Sequence, residues 1–373
     1  MRVLFIFAMD KMPKILFIAA HRSDRSPSQR YRFEQYFTFL AENGYECILS
    51  NILDERDDKV FYSPGKIFPK LTITFKSILK RLTDIYNADD YDIIFVQREA
   101  FMTGSVFFEK QFSRSKAKFV FDFDDSVWLL DTSEANKMWQ WMKSSKKTGH
   151  IIELSDLVIA GNNYLADYAL KFNSNVKVIP TTIDTEVFKR KQEYKNNETI
   201  CIGWSGSLTT IKHFEAAVPF LKRIKDKYKE KVTFRVMGDA SYKNDELGIQ
   251  GIAWSSQLEV MVISKFDIGI MPLPDDEWVK GKCGLKGLSY MSLEVPTIMS
   301  AVGVNKEIIN DRVNGFLAAT DDEWVEKLSE LIDSFELRRI IGKNARSTVE
   351  TRYSVESQKY NYLNAFNDLL KEQ

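Results

Sequence analysis

Two lysines four residues apart in a glycine-rich stretch are the side chains best placed for chemistry. Gly281-Lys-Cys-Gly-Leu-Lys-Gly287 lies between a strand-like run and a helix-like one. Lys282 and Lys286 share a face if both are helical. Two cations with Gly284 at a helix start suit a diphosphate, and a solvated basic turn is the other reading. Gly203-Trp-Ser-Gly-Ser207 also follows a strand and precedes a helix. Its small residues, Gly206 and Ser207, would turn backbone N–H groups toward an anion, with Lys212 near the helix start. An ordinary glycine-containing turn has the same pattern. Asp275, Asp276 and Glu277 follow another strand-like run; such carboxylates hold hydroxyl groups or line a solvated loop.

The N-terminal half offers Phe121-Asp-Phe-Asp-Asp125, whose Asp-x-Asp spacing can hold a divalent cation, and His21-Arg22 just past the first strand. His21 reads as a cleft residue or a loop histidine. Arg30 and Arg32, on the next helix, read as surface charges. Other chemistries lack their residues. The cysteines are Cys47, Cys201 and Cys283, the histidines His21, His150 and His213. There is no C-x-x-C, H-E-x-x-H, G-x-S-x-G or G-x-G, which argues against a cysteine zinc site, a zincin, a serine hydrolase and a dinucleotide dehydrogenase.

The elements that must carry these residues alternate. Apolar runs at 14–20, 45–50, 92–97, 118–123, 157–161 and 176–179 read as buried parallel strands. Amphipathic segments lie between most of them, the first a helix over 29–43. The polar stretch 190–197 breaks the series. It restarts with strands at 199–204, 232–237, 267–271 and 296–300. Helices are expected at 211–228, 258–264, 285–293 and 324–335, and two more close the chain with a break near Tyr353. The expected class is α/β, with two Rossmann-like domains facing across a cleft. The domains are placed at 1–182 and 183–354, with a final helix, 355–373.

In order and spacing these segments resemble GT-B glycosyltransferases of the retaining family 4, the glycosyl transferases group 1. The similarity rests on Ser28-Gln-Arg-Tyr-Arg-Phe-Glu34, Phe121-Asp-Phe-Asp-Asp125, Gly161-Asn-Asn-Tyr-Leu-Ala166, Ile179-Pro-Thr-Thr-Ile-Asp184 and Ile202-Gly-Trp-Ser-Gly-Ser207. It continues through Phe266-Asp-Ile-Gly-Ile-Met-Pro-Leu-Pro-Asp275, Gly281-Lys-Cys-Gly-Leu-Lys286 and Val302-Gly-Val-Asn305. The resemblance implies a nucleotide-diphosphate sugar on the C-terminal domain and a glycan or lipid-linked acceptor on the N-terminal one. It further implies a last helix that crosses back, no metal, and no cofactor beyond the donor. Cell-surface polysaccharide or glycoconjugate assembly is the expected setting. Retention is ascribed to a front-face reaction in which the leaving phosphate helps deprotonate the acceptor, so cations on the departing diphosphate matter most. Lys212, Lys282 and Lys286 fill that role, with Asp275 beside them as a catalytic candidate.

The pattern also departs from the family. Two glutamates eight positions apart are common there; Gly281 and Ser289 occupy the corresponding places. The usual basic residue after the first C-domain glycine falls near Trp204. A subgroup has the K-C-G-x-K form found here, so the change does not imply inactivity. Asp275, Asp276 and Ser289 are assigned the sugar and ribose contacts instead. A D-x-D holds manganese in the other major glycosyltransferase fold. Here it ends an N-domain strand, and Asp124 and Asp125 are read as acceptor-facing or structural groups. His21 and Arg22 are placed on the same acceptor side.

Bulk properties bound the rest. Lysine plus arginine and aspartate plus glutamate both number 52, which disfavours a general nucleic-acid binder. No uncharged apolar run reaches the ~18 residues of a membrane span, so a cytoplasmic protein is expected, either free or at the inner face of the plasma membrane. Between residues 59 and 83 there is no acid. Over 69–82, Leu71, Phe75, Ile78, Leu79 and Leu82 keep helical spacing among Lys70, Lys76, Lys80 and Arg81. Such a helix rests on an anionic leaflet or packs its apolar face on the sheet. Met1 and Met12 are both candidate starts. A sugar-nucleotide epimerase of the same fold and a non-catalytic binding relative are the competing functions.

Overall fold

The computed structural model describes residues 12–63, 65–129, 144–190 and 196–371. In the first half six apolar runs form parallel strands: β1 (Lys14–His21), β2 (Glu46–Leu53), β3 (Ile93–Gln97), β4 (Lys118–Phe123), β5 (Leu157–Ala160) and β6 (Val176–Val178). Their order is β2-β1-β3-β4-β5-β6. Helices cover both faces, so Ile93, Ile94, Phe95 and Val96 are all buried, as a doubly covered parallel sheet requires.

The second half repeats the scheme with β7 (Ile200–Ser205), β8 (Val232–Gly238), a small antiparallel ribbon of β9 (Lys243–Asn244) and β10 (Ile249–Gln250), then β11 (Ile252–Ala253), β12 (Ile268–Met271), β13 (Thr297–Ser300) and β14 (Phe316–Ala318). The main sheet runs β11-β8-β7-β12-β13-β14, all parallel. Each sheet reverses its strand order once, between β1 and β3 and between β7 and β12. Those reversals leave crevices beyond the strands' carboxyl ends.

The chain crosses between the halves twice, and the crossings are stitched together. Ile183 N–H donates to Tyr353 O at 2.8 Å and Val355 N–H to Ile183 O at 3.1 Å. The helix Val355–Lys371 then returns to the first sheet, where Tyr362, Phe366 and Leu369 pack with Ile15, Phe17 and Phe95.

Three helical expectations change. The 29–43 helix is broken into Pro27–Arg32 and Phe37–Glu42. Arg32 is no surface charge: its guanidinium is wholly buried against Asp122 of β4, and it also donates to Ile179 O at 2.5 Å. The 211–228 helix is two, Ile211–Glu215 and Val218–Tyr228. Pro219 sits in the first turn of the second, where its missing N–H costs no helical bond. The third concerns direction, which the sequence leaves open between a lipid-facing and a sheet-facing apolar side. The helix Ile67–Tyr86 buries Ile73, Ser77, Arg81 and Asp84, while Leu71, Phe75, Leu79 and Leu82 face outward.

Candidate functional site

The loops leaving β1, β3 and β4 face those leaving β7 and β12 across a cavity of about 550 Å³. The N-terminal wall carries Arg25, Ser28, Arg98, Asp124 and Asp125; the C-terminal wall carries Gly206, Trp254, Glu259, Lys282, Lys286 and Ser289. Both switch points therefore open into one space.

The C-terminal wall is cationic. The helix Leu285–Ser292 begins after Gly284, whose φ of 70° is left-handed, and its first turn lines the cavity. Lys286 Nζ lies 4.5 Å from the Trp204 ring centroid. Among the described residues no hydrogen bond or ion pair holds it. Burial, and then the charge of Lys282, lower its pKa to about 7. His213 is lowered to about 4, first by burial and then by Lys286, Lys282 and Lys212, so its imidazole is neutral near neutral pH. Partly desolvated lysines beside a helix N-terminus have the charge that a polyanion would need.

The N-terminal wall is a network of carboxylates and cations. Asp124 accepts from Arg98 Nε at 2.7 Å and Ser28 Oγ at 2.8 Å. Burial opposes its ionisation, yet Arg98, Arg32 and Ser28 together outweigh that and hold the pKa below the usual value. Arg98 itself sits at φ 62°, in the left-handed region, which costs a side chain roughly 1–2 kcal/mol. Asp125 reaches Lys282 Nζ at 3.0 Å. With Asp122 spent on Arg32, each carboxylate of the Asp-x-Asp stretch answers a cation. Among the described residues no cluster of three His, Cys, Asp or Glu forms a metal-binding group.

Other singled-out residues land elsewhere. His21 and Arg22 do not line the cavity. Both turn to the buried Asp58, His21 Nδ1 at 3.4 Å, with Tyr62 at the other ring nitrogen. Lys212 is exposed and lines an adjoining hollow with His213 and Asp276. Asp276 caps the helix Glu277–Lys280, accepting from Val279 N–H at 2.8 Å. Asp275 is exposed and lines neither space. The Gly206 and Ser207 N–H groups are engaged locally, by Met237 O at 2.8 Å and Thr210 Oγ1 at 2.9 Å. Ser289 lines the cavity with its hydroxyl donated to Leu285 O at 3.0 Å. Cys283 is pushed up to about 12, first by burial and then by Asp124, so it carries no thiolate chemistry.

Several contributors escape sequence reasoning. Glu259, buried in the cavity wall, accepts from Tyr31 Oη at 2.9 Å and from Arg30 at 3.1 Å, tying the halves together. Gly281 lies so close to the N-terminal half that a Cβ there would stand 2.0 Å from Ser126 Oγ and 2.8 Å from its backbone nitrogen. That is why no glutamate occupies 281 in this arrangement. Glycine in the first motif was the one legible signal of this close approach.

Residues 199–334 match the family model of glycosyl transferases group 1. The whole fold is similar to solved structures. Sucrose-phosphate synthase of Thermosynechococcus elongatus has a TM-score of 0.70 at 14% identity, over 97% of this chain and 100% of that one. A glycosyltransferase of Rickettsia africae gives 0.67 at 15%, over 97% and 99%. Anabaena HepE in complex with UDP and glucose gives 0.66 at 14%, over 95% and 100%. No curated protein matches in sequence.

Proposed function

We propose that this chain, whose residues 199–334 match glycosyl transferases group 1 and whose fold is similar to that of solved glycosyltransferases, moves a sugar from a nucleotide-diphosphate donor to a hydroxyl of a glycan or lipid-linked acceptor, with retention. The observation that carries the donor site is Lys286, a half-buried lysine without an anionic partner among the described residues, on the cavity wall beside Lys282. The diphosphate lies against these lysines and the start of the helix Leu285–Ser292. The acceptor lies on the wall of Ser28, Arg98 and Asp124.

In the reaction the anomeric carbon–oxygen bond to the β-phosphate breaks and a bond to the acceptor oxygen forms on the same face. The acceptor proton passes to the departing diphosphate. Charge grows on that diphosphate, and preformed cations in a dry site stabilise it. Lys282 and Lys286 do this here, without a metal ion. Lys212 acts at longer range, through the adjoining hollow. Asp275 is exposed and has no part in this arrangement.

The test is a panel of nucleotide sugars, starting with UDP-glucose because HepE holds UDP and glucose, with and without EDTA. Donor hydrolysis or transfer that survives EDTA, with the product's anomeric configuration unchanged by NMR, supports the reading. Epimerised donor indicates an epimerase. Tight nucleotide binding with no turnover on any glycan or lipid-extract acceptor indicates a binding protein.

A further inference from the structure

The helix Ile67–Tyr86 turns a mixed face inward, with Ile73 in the core and Ile78 and Ile85 packed against it. Arg81 and Asp84 are buried on its inner face. Arg81 donates to Ala19 O and Ala100 O at 2.7 Å each, to Ser50 O at 3.3 Å and to Asp84 at 2.8 Å. These bonds satisfy the guanidinium and three strand-end or loop carbonyls at once, and they fix which way the helix faces. Unmaking them would strand a buried charge at a cost of several kcal/mol.

The outer face carries an apolar stripe, flanked by the exposed Lys76 and Lys80. Phe68, Leu71, Phe75, Leu79, Leu82 and Tyr86 recur every three or four residues along one stripe, and all are exposed, Phe68 at 83%, Phe75 at 63% and Tyr86 at 88%. Scattered exposed apolar side chains are ordinary; a continuous stripe along a helix of about 30 Å is not. No helix among the described residues is long and apolar enough to cross a membrane, so the helix would lie on a bilayer rather than span it.

Charge selects the kind of surface. From residue 65 to 83 there is no acid. Lys76 is discharged by Asp54 and Asp57, and Lys80 by Asp84. Lys66 and Lys70, at the start of the helix, have no ion-pair partner among the described residues. An apolar stripe with unpaired cations beside its leading end complements an anionic lipid surface.

We propose that the outer face of Ile67–Tyr86 seats this protein on an anionic membrane, with Phe68, Leu71, Phe75 and Leu79 among the acyl chains and the exposed Lys66 at the headgroups. The inference does not depend on the donor site, and its failure would leave that reading intact.

Flotation of the full chain with phosphatidylcholine vesicles, with and without phosphatidylglycerol, tests it. Binding is expected only with the anionic lipid, and it weakens as salt rises. The double variant Phe75→Glu/Leu79→Glu abolishes it. Lys66→Glu lowers the partition coefficient by on the order of tenfold. Both keep wild-type UDP affinity and melting temperature, because these side chains bury little; Phe75→Ser/Leu79→Ser provides a second, uncharged disruption. No flotation with anionic vesicles would overturn the proposal, as would flotation indifferent to the variants. A concentration-dependent dimer broken by Phe75→Glu, without vesicle binding, would assign the stripe to a second copy of the chain instead.

Discussion

Lys282 and Asp125, 157 positions apart in sequence, form an ion pair across the cleft, Nζ to carboxylate oxygen 3.0 Å. The lysine expected to meet a diphosphate therefore already holds an anion, supplied by the opposite half. A donor must displace that carboxylate to use the charge, which leaves Asp125 released toward the acceptor space.

Replacing Asp125 by Asn removes the competitor. An ion pair of this modest exposure contributes about 1 kcal/mol, so the Kd for UDP should fall roughly fivefold by isothermal titration. Lys282→Ala should move it the other way by on the order of tenfold, the value of a charge-assisted contact. Unchanged affinity in both variants would place the diphosphate elsewhere.

Lys286 makes donor binding pH-dependent. Burial and Lys282 hold its pKa at about 7, so near neutrality the free protein is partly deprotonated there. A bound diphosphate raises that pKa, and binding takes up a proton. Affinity is highest below the free pKa and falls as pH rises through it. The Kd should grow roughly fivefold between about pH 7 and about pH 8, a range in which UDP's own phosphate is already ionised. Lys286→Arg keeps the charge at all pH values and should flatten the profile. Titrations in buffers of different ionisation enthalpy would count the proton directly.

Arg32 and Asp122 are both fully buried. Arg32→Met leaves Asp122 without its cation and should lower stability by about 3–5 kcal/mol, seen as a lower urea midpoint. Arg32→Met/Asp122→Leu should recover most of it, because the loss comes from the stranded charge rather than from the missing pair.

Gly281→Ala tests the close approach of the two halves. Its Cβ would meet Ser126, backbone included, so the halves must part or tilt. Turnover should fall by on the order of tenfold, while UDP affinity, set by the C-terminal wall, changes less. Equal losses in both would mean that the C-terminal wall itself is distorted.

What the sequence determined alone is the pair of α/β sheets, most strand positions and the lysine-bearing loop. These follow from local regularities: continuous apolar runs for doubly covered strands, and glycines with cations between a strand and a helix. The tertiary structure decided the partners. Arg32 reads as a surface charge until Asp122, 90 positions away, is folded beside it. Arg30 reads likewise until Glu259 arrives from the other half. His21 ends a strand as a cleft residue should, but Asp58, in the helix Glu55–Phe61 after β2, draws its ring aside. In Ile67–Tyr86 the periodicity announced an amphipathic helix without saying which face turns inward. A helical stripe has a phase but no address, and the backbone carbonyls that accept from Arg81 supply it. Local pattern sets what an element is, and long-range charge pairing in a desolvated interior sets what it touches.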